Sequence, residues 1–119
     1  MITLKGKSVF GGVEIGKIAF YKRNNRQIKR THVADTAAEW SRFETAKATA
    51  LEQLQALFAK AVQDVGDEHA MIFEIHQMML EDLDYLESIQ NIIESEEVNA
   101  EYAVATTADN FAEMFAMMD

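Results

Sequence analysis

"HAMIFEIHQMMLEDLDYL", residues 69–86, carries more apolar side chains than one face of a helix can hold, and its acids stand among them rather than opposite. On a helical projection His69, Phe73, His76, Leu80 and Leu83 form one stripe. Met71, Ile75 and Met79, with the neighbouring Ile72 and Met78, form a second, flanked by Glu68 and Asp82. Only Ala70, Glu74, Gln77 and Glu81 remain for a plain polar face. A domain core takes one stripe, so the other needs a further helix or a partner protein. Methionine-rich surfaces adapt to partners, and acids at their edges select basic ones. The competing reading is a central helix buried all round.

Upstream, residues 35–66 read as a long helix. Asp35 or Thr36 is a possible N-cap, and Glu39 stands in the first turn. Trp40, Phe43, Ala50, Leu54, Leu57, Ala61 and Val65 recur at helical steps before Gly66 ends the run. Such a length with one apolar stripe suits an arm of a helical hairpin. Asp67 then caps the helix that carries the opening stretch. Downstream, "NAEYAVATTADNFAEMFAMMD", residues 99–119, starts at a plausible cap, Asn99, and brings Tyr102, Ala105, Phe111, Met114, Phe115 and Met118. It has no C-cap signal, which predicts that the sequence is a piece of a longer protein. Near the start, "VFGGVEIGKIAFY", residues 9–21, reads as one or two short strands around Gly11, Gly12 and Gly16. No other strand-rich segment exists to pair with it, so it pairs with itself, with another copy, or with a sheet supplied from elsewhere. The expected fold is mainly α, a bundle of antiparallel helical hairpins with a short N-terminal β segment, divided as residues 1–31 and 32–119.

At 119 residues the chain can build one small core, and an apolar share of 49% argues against general disorder. No apolar run approaches the roughly 18 residues of a membrane span, so no membrane association is expected. There is no cysteine, hence neither disulfide nor thiol chemistry, and no signal peptide is recognisable. The expected location is the cytoplasm. Charge is segregated: residues 1–31 have a net charge of +7 and residues 32–119 of −16. Nucleic acid would be repelled by the larger part, despite the basic run "KRNNRQIKR", which reads as a solvated linker or strand edge. An acidic body favours a basic protein partner.

Two motifs fail on inspection. Residues 11–17, "GGVEIGK", match the opening of a P-loop, but Ile18 stands where serine or threonine would hold magnesium, and "IAFY" reads as strand, not helix. His69 and His76 lie two helical turns apart, about 10 Å, too far to share one metal ion. No serine or cysteine nucleophile sits in a recognisable elbow. The plain reading of each histidine is a packed, hydrogen-bonded side chain, although a histidine can also serve as general base or phosphate acceptor.

Residues 66–89, "GDEHAMIFEIHQMMLEDLDYLESI", resemble the helix "G-E-E-x-x-x-I-F-E-x-H-x-x-L-L-E-D-x-E" of the enzyme I family, the phosphoenolpyruvate-protein phosphotransferases of the bacterial sugar phosphotransferase system. The matches are Gly66, Ile72, Phe73, Glu74, His76, Leu80, Glu81 and Asp82. The order of segments agrees over essentially the whole chain. Two departures are Phe10-Gly11-Gly12, where the family has small-Pro-Gly, and His69, where a lysine is common.

The resemblance implies a helical subdomain inserted into a phosphohistidine α/β domain, to which residues 1–31 would contribute an incomplete part. Its implied role is to dock the histidine-containing phosphocarrier protein HPr. The phosphorylated histidine of the family lies beyond the equivalent of Asp119, so His32, His69 and His76 are not given that role, and no catalytic residue, metal or cofactor is assigned to these 119 residues. Magnesium is expected for the whole enzyme. The implied docking face is Glu68, Met71, Ile75, His76, Met78, Met79, Asp82, Asp84 and Tyr85, extended by Phe111, Met114, Phe115 and Met118. Without the missing sheet, residues 1–31 are expected to leave apolar surface that joins two copies into a homodimer. The alternative function is a structural helical protein whose second stripe is a dimer seam.

Overall fold

The computed structural model describes residues 1–21 and 27–118. Four helices follow one another: α1, Thr36–Val65; α2, Asp67–Leu80; α3, Leu83–Glu96; and α4, Ala100–Ala116. They form two hairpins, α1 with α2 and α3 with α4, so the mainly α architecture read from the sequence is the one observed.

The long first helix starts where expected. Asp35 has extended backbone and its carboxylate accepts the Ala38 amide at 3.0 Å, which makes it, and not Thr36, the N-cap. Gly66 ends α1 at φ 88°, a conformation that side chains disfavour, and its amide donates to the Val62 carbonyl. The same glycine is the N-cap residue of α2, so a single residue turns the chain from one helix into the next. Asp67, expected as the cap, is instead the first helical residue, where its charge still meets the positive end of the helix dipole.

The opening stretch is not one helix. It breaks at Glu81–Asp82, where the Asp82 carboxylate accepts the Tyr85 amide at 2.9 Å and begins α3. A short acidic side chain that captures a backbone amide competes with helix continuation, and here it wins. Leu83, projected onto the inner stripe, is consequently 80% exposed. The inner face of α2 also differs from the projection: Ala70 is fully buried, and Phe73, Gln77 and Leu80 are half-buried, whereas His69 and His76 are exposed. Ala70 and Gln77, assigned above to the polar face, therefore point inward. Gln77 is accommodated by donating to the Phe73 carbonyl at 3.4 Å. Along α1, Phe43, Leu51, Leu54 and Phe58 turn inward, while Leu57 and Val65 do not.

The core lies where α1 crosses the second hairpin. Phe43 of α1 packs with Ile89 and Ile93 of α3 and Ala100 and Ala103 of α4, and Trp40 stacks on Phe43 at 5.0 Å between ring centroids. Small residues on α4 let the helices approach closely. Thr107, also fully buried, has a hydroxyl without a hydrogen-bond partner.

The N-terminal strand expected over residues 9–21 is absent among the described residues: positions 1–21 have no regular structure, and their large apolar side chains, Met1 to Tyr21, are 82% or more exposed. A strand is held by its ladder partner, and none of the described residues supplies one. Pairing occurs instead further on. His32 and Val98 form an antiparallel bridge, flanked by the Val33 amide on the Glu97 carbonyl and the Asn99 amide on the Thr31 carbonyl. Of the basic run, Lys22, Arg23 and Arg26 lie outside the described residues; Arg30 pairs with Glu96 at 3.2 Å and lies over the Tyr102 ring.

Candidate docking groove

Breaking the helix at Glu81–Asp82 turns α3 away from the line of α2 and opens a groove between α2 and the second hairpin. Its α2 wall is Ile75, Met78 and Met79. Tyr85 lies at the break with Asp82 and Asp84 at the rim beside it, and Phe111 and Phe115 of α4 form the facing wall. The cavity measures about 510 Å³. All eight lining residues belong to the docking face inferred from the sequence, although they come from positions as far apart as 75 and 115.

Each wall has a local cause. On α2, Ile75, Met78 and Met79 lie on the side opposite Ala70 and Phe73, which the α1 hairpin occupies, so they are left 50–67% exposed. On α4, Ala100, Ala103, Thr107, Phe111 and Met114 share one face by the helical period, but only its first part is covered by the core, so Met114 and the neighbouring Phe115 stay 51% and 68% exposed. Tyr85 ties α3 to α4 within the second hairpin: its ring meets Phe111 edge-on, 5.7 Å between centroids and 83° between planes. Burial pushes the Tyr85 phenol above its ordinary pKa, which keeps it a neutral donor. The carboxylates of Asp82 and Asp84 stand exposed at the rim, beside an apolar interior.

Five residues assigned to the face lie outside the groove itself. Met71 precedes Ile75 by one turn and Glu68 precedes Met71, so both continue the α2 wall toward its N-terminus; Met114 and Met118 continue the α4 wall. His76 stands in an adjoining cleft with Leu54, Leu80, Met79 and Tyr85, on the side toward α1. None of the three histidines is packed away as the plain reading expected; all are exposed. Leu83 and Met117, 80% and 78% exposed, were not assigned to the face, yet they lie beside Asp82 and Phe115 in the chain. Leu83 would have been found by treating L-E-D as a cap rather than as mid-helix.

This surface is suited to binding. Among the described residues no three histidine, aspartate or glutamate groups converge as a metal site. The groove offers flexible thioethers, three aromatic rings and rim carboxylates, the features of a surface that accepts apolar anchors from a basic protein.

Residues 5–119 match the family model of the PEP-utilising enzyme, N-terminal region. The chain belongs to this family. Among curated members, the phosphoenolpyruvate-protein phosphotransferase of Bacillus sp. (strain S) is 37% identical over 117 residues, covering 98% of this chain and 20% of that protein. That of Bacillus subtilis (strain 168) is 32% identical over 119 residues, covering all of this chain and 21% of that protein. The chain thus spans about a fifth of the length of the relatives it matches. A solution structure of an enzyme I protein superposes with a TM-score of 0.71 at 28% identity, over 78% of this chain and 39% of that one. The resemblance to enzyme I read from residues 66–89 therefore holds across the sequence and the fold.

Proposed function

We propose that this member of the PEP-utilising enzyme N-terminal family is the docking part of a phosphoenolpyruvate-protein phosphotransferase, and that its groove receives the phosphocarrier protein HPr. The observation that carries the reading is the convergence of Ile75, Met79, Phe111 and Phe115 on one cavity rimmed by Asp82 and Asp84. In this reading the acids steer a basic partner by long-range attraction, and the apolar walls hold it by burial. A net charge of −9 strengthens the steering. A calorimetric titration with HPr at low and at high salt tests it. Saturable binding that weakens with salt is expected; no binding at millimolar partner would sink the docking role.

Phosphoryl transfer is assigned to the larger enzyme rather than to these residues. In this reading magnesium and phosphoenolpyruvate are held elsewhere in it. Incubation of this chain with radiolabelled phosphoenolpyruvate is expected to leave it unlabelled. Label on His32, His69 or His76 would overturn the assignment. We place the protein in the cytoplasm with the enzymes it resembles; separately, no helix among the described residues is long and apolar enough to cross a membrane.

A second copy of the chain is a further proposed partner, through a different surface. Val9, Phe10, Val13, Ile15, Ile18, Phe20 and Tyr21 are all exposed within one extended segment. Covering about 400 Å² of apolar surface is worth roughly 10 kcal/mol before association costs. Edge-to-edge pairing of two such segments gives a dimer at high concentration. Light scattering that reads a monomer at high concentration would remove it.

A further inference from the structure

The groove lies between two hairpins, so its width depends on how one is held against the other. They are joined covalently at Glu81–Asp82, close to the groove, and they share the apolar contact of Trp40 and Phe43 with α3 and α4. Apolar contact is non-directional and tolerates sliding. Directional ties are few: the segment that leads into α1 is joined to the α3–α4 turn by the His32–Val98 bridge and its two flanking backbone bonds, and the remainder are side-chain bonds. Among the described residues, the side-chain hydrogen bonds between the two hairpins all run through Glu39 and Arg42 of α1.

These ties meet at the start of α4. The Glu39 carboxylate accepts the Ala100 amide at 2.8 Å and the Arg42 guanidinium at 2.6 Å. Arg42 reaches both carboxylate oxygens of Glu101, at 2.8 and 2.7 Å. Asn99, the N-cap residue, makes no side-chain bond to the backbone amides of its own helix; its side-chain oxygen accepts the Thr31 amide, and its NH2 donates to the Lys29 carbonyl and, at 3.3 Å, to the Glu101 carboxylate. The first turn of α4 is therefore capped from another helix. Phe111 lies ten residues from Glu101, about 15 Å along α4.

We propose that Glu39, Arg42 and Glu101 act as a positioning lock: with the hairpin hinged at Glu81–Asp82 and fastened at the start of α4, the lock sets the angle of α4 and hence the docking groove some two-thirds of a helix away. This rests on the docking reading for its consequence, but not for its geometry. Opening the lock leaves the groove residues intact and leaves the start of α4 held to the first hairpin and the segment before it by the apolar contact and the His32–Val98 bridge, so the second hairpin gains freedom to pivot about the hinge.

The chain contains no cysteine, so Glu74→Cys on α2 and Ala112→Cys on α4, both exposed, accept spin labels cleanly. Pulsed electron resonance on the full chain is expected to give one narrow distance distribution. Arg42→Met broadens or shifts it, and weakens HPr binding about 5- to 10-fold, while Arg42→Lys, which retains a donor, lies between. Should Arg42→Met not fold, Glu101→Ala removes one arm and leaves the Glu39 cap in place. An unchanged distribution in a folded lock variant overturns the proposal. Failure of the unsubstituted chain to bind HPr removes the docking reading instead, and the distance measurement still decides the lock.

Discussion

Met79→Lys is expected to weaken HPr binding by at least about 30-fold, the loss of a central anchor worth about 2 kcal/mol or more. Met79 is 57% exposed and lines both the groove and the adjoining cleft, so nothing in the core depends on its thioether. The substitution removes an adaptable apolar contact and places a cation where a basic partner must approach. Helix content and thermal midpoint should change little. Sedimentation separates this from the alternative of a dimer seam: a docking surface leaves the oligomeric state unchanged, whereas a seam built on the α2 stripe would fall apart into monomers. Calorimetry of the variant against HPr is the direct check, and undiminished affinity would show that the groove is not the contact.

Glu39→Ala is expected to cost about 1–3 kcal/mol of stability, because it strands the Ala100 amide and removes the partner of Arg42. The Glu39 side chain is 12% exposed, so water replaces the lost acceptor poorly. Arg42 and Glu101 are about half exposed, so their pair contributes less to stability than the Glu39 acceptor does. Hydrogen bonding to Arg42 holds both the Glu39 and the Glu101 carboxyls below their ordinary 4.5. Because the folded state prefers these acids ionised, their contribution is fully present above about 4.5 and is lost as pH falls through the lowered folded values. Urea unfolding across pH 6 to 3 therefore shows a downward slope in the parent chain. The slope is shallower in Glu39→Ala. Equal slopes in the two would place the acid sensitivity elsewhere.

How much of this was legible in the sequence varied with the physical origin of each feature. Helix α1 was fixed locally, by Asp35 before a periodic run and by Gly66 after it, and both ends fall where the residues put them. The surplus of apolar residues on α2 was equally plain, since no rotation of a helix hides Met71, Ile75, Met78 and Met79 together with Phe73 and Leu80. Which residues faced inward was less legible. Treating residues 69–86 as one helix gave the inner face to His69 and His76 and sent Ala70 outward. In the structure the buried position opposite α1 takes the smallest side chain, because close helix approach selects it. Asp82 carried the missing information: an aspartate followed three residues later by an amide it can cap marks a helix start as well as a continuation. Its competition with the helical period could not be weighed from spacing alone.

The groove itself joins residues 75 and 115, which no local signal connects; only the shared surplus of exposed apolar side chains on α2 and α4 hinted at it. Residues 9–21 show the opposite case. Their composition favours strand, but a strand is a property of a pair, and among the described residues the composition has no partner. The lock at Glu39, Arg42 and Glu101 left no trace in the motifs, because its carboxylates looked like ordinary first-turn acids.

Whether HPr docks in the α2–α4 groove is read residue by residue by methyl-resolved NMR of the chain titrated with HPr. The methyl signals of Ile75, Met78, Met79 and Met114 should shift together and saturate, with Met71 following at the edge. The methyl signals of Ile89 and Ile93, fully buried in the core, should stay in place. Saturating shifts confined to residues 1–21 or to the outer face of α1, with the groove methyls unmoved, would contradict it.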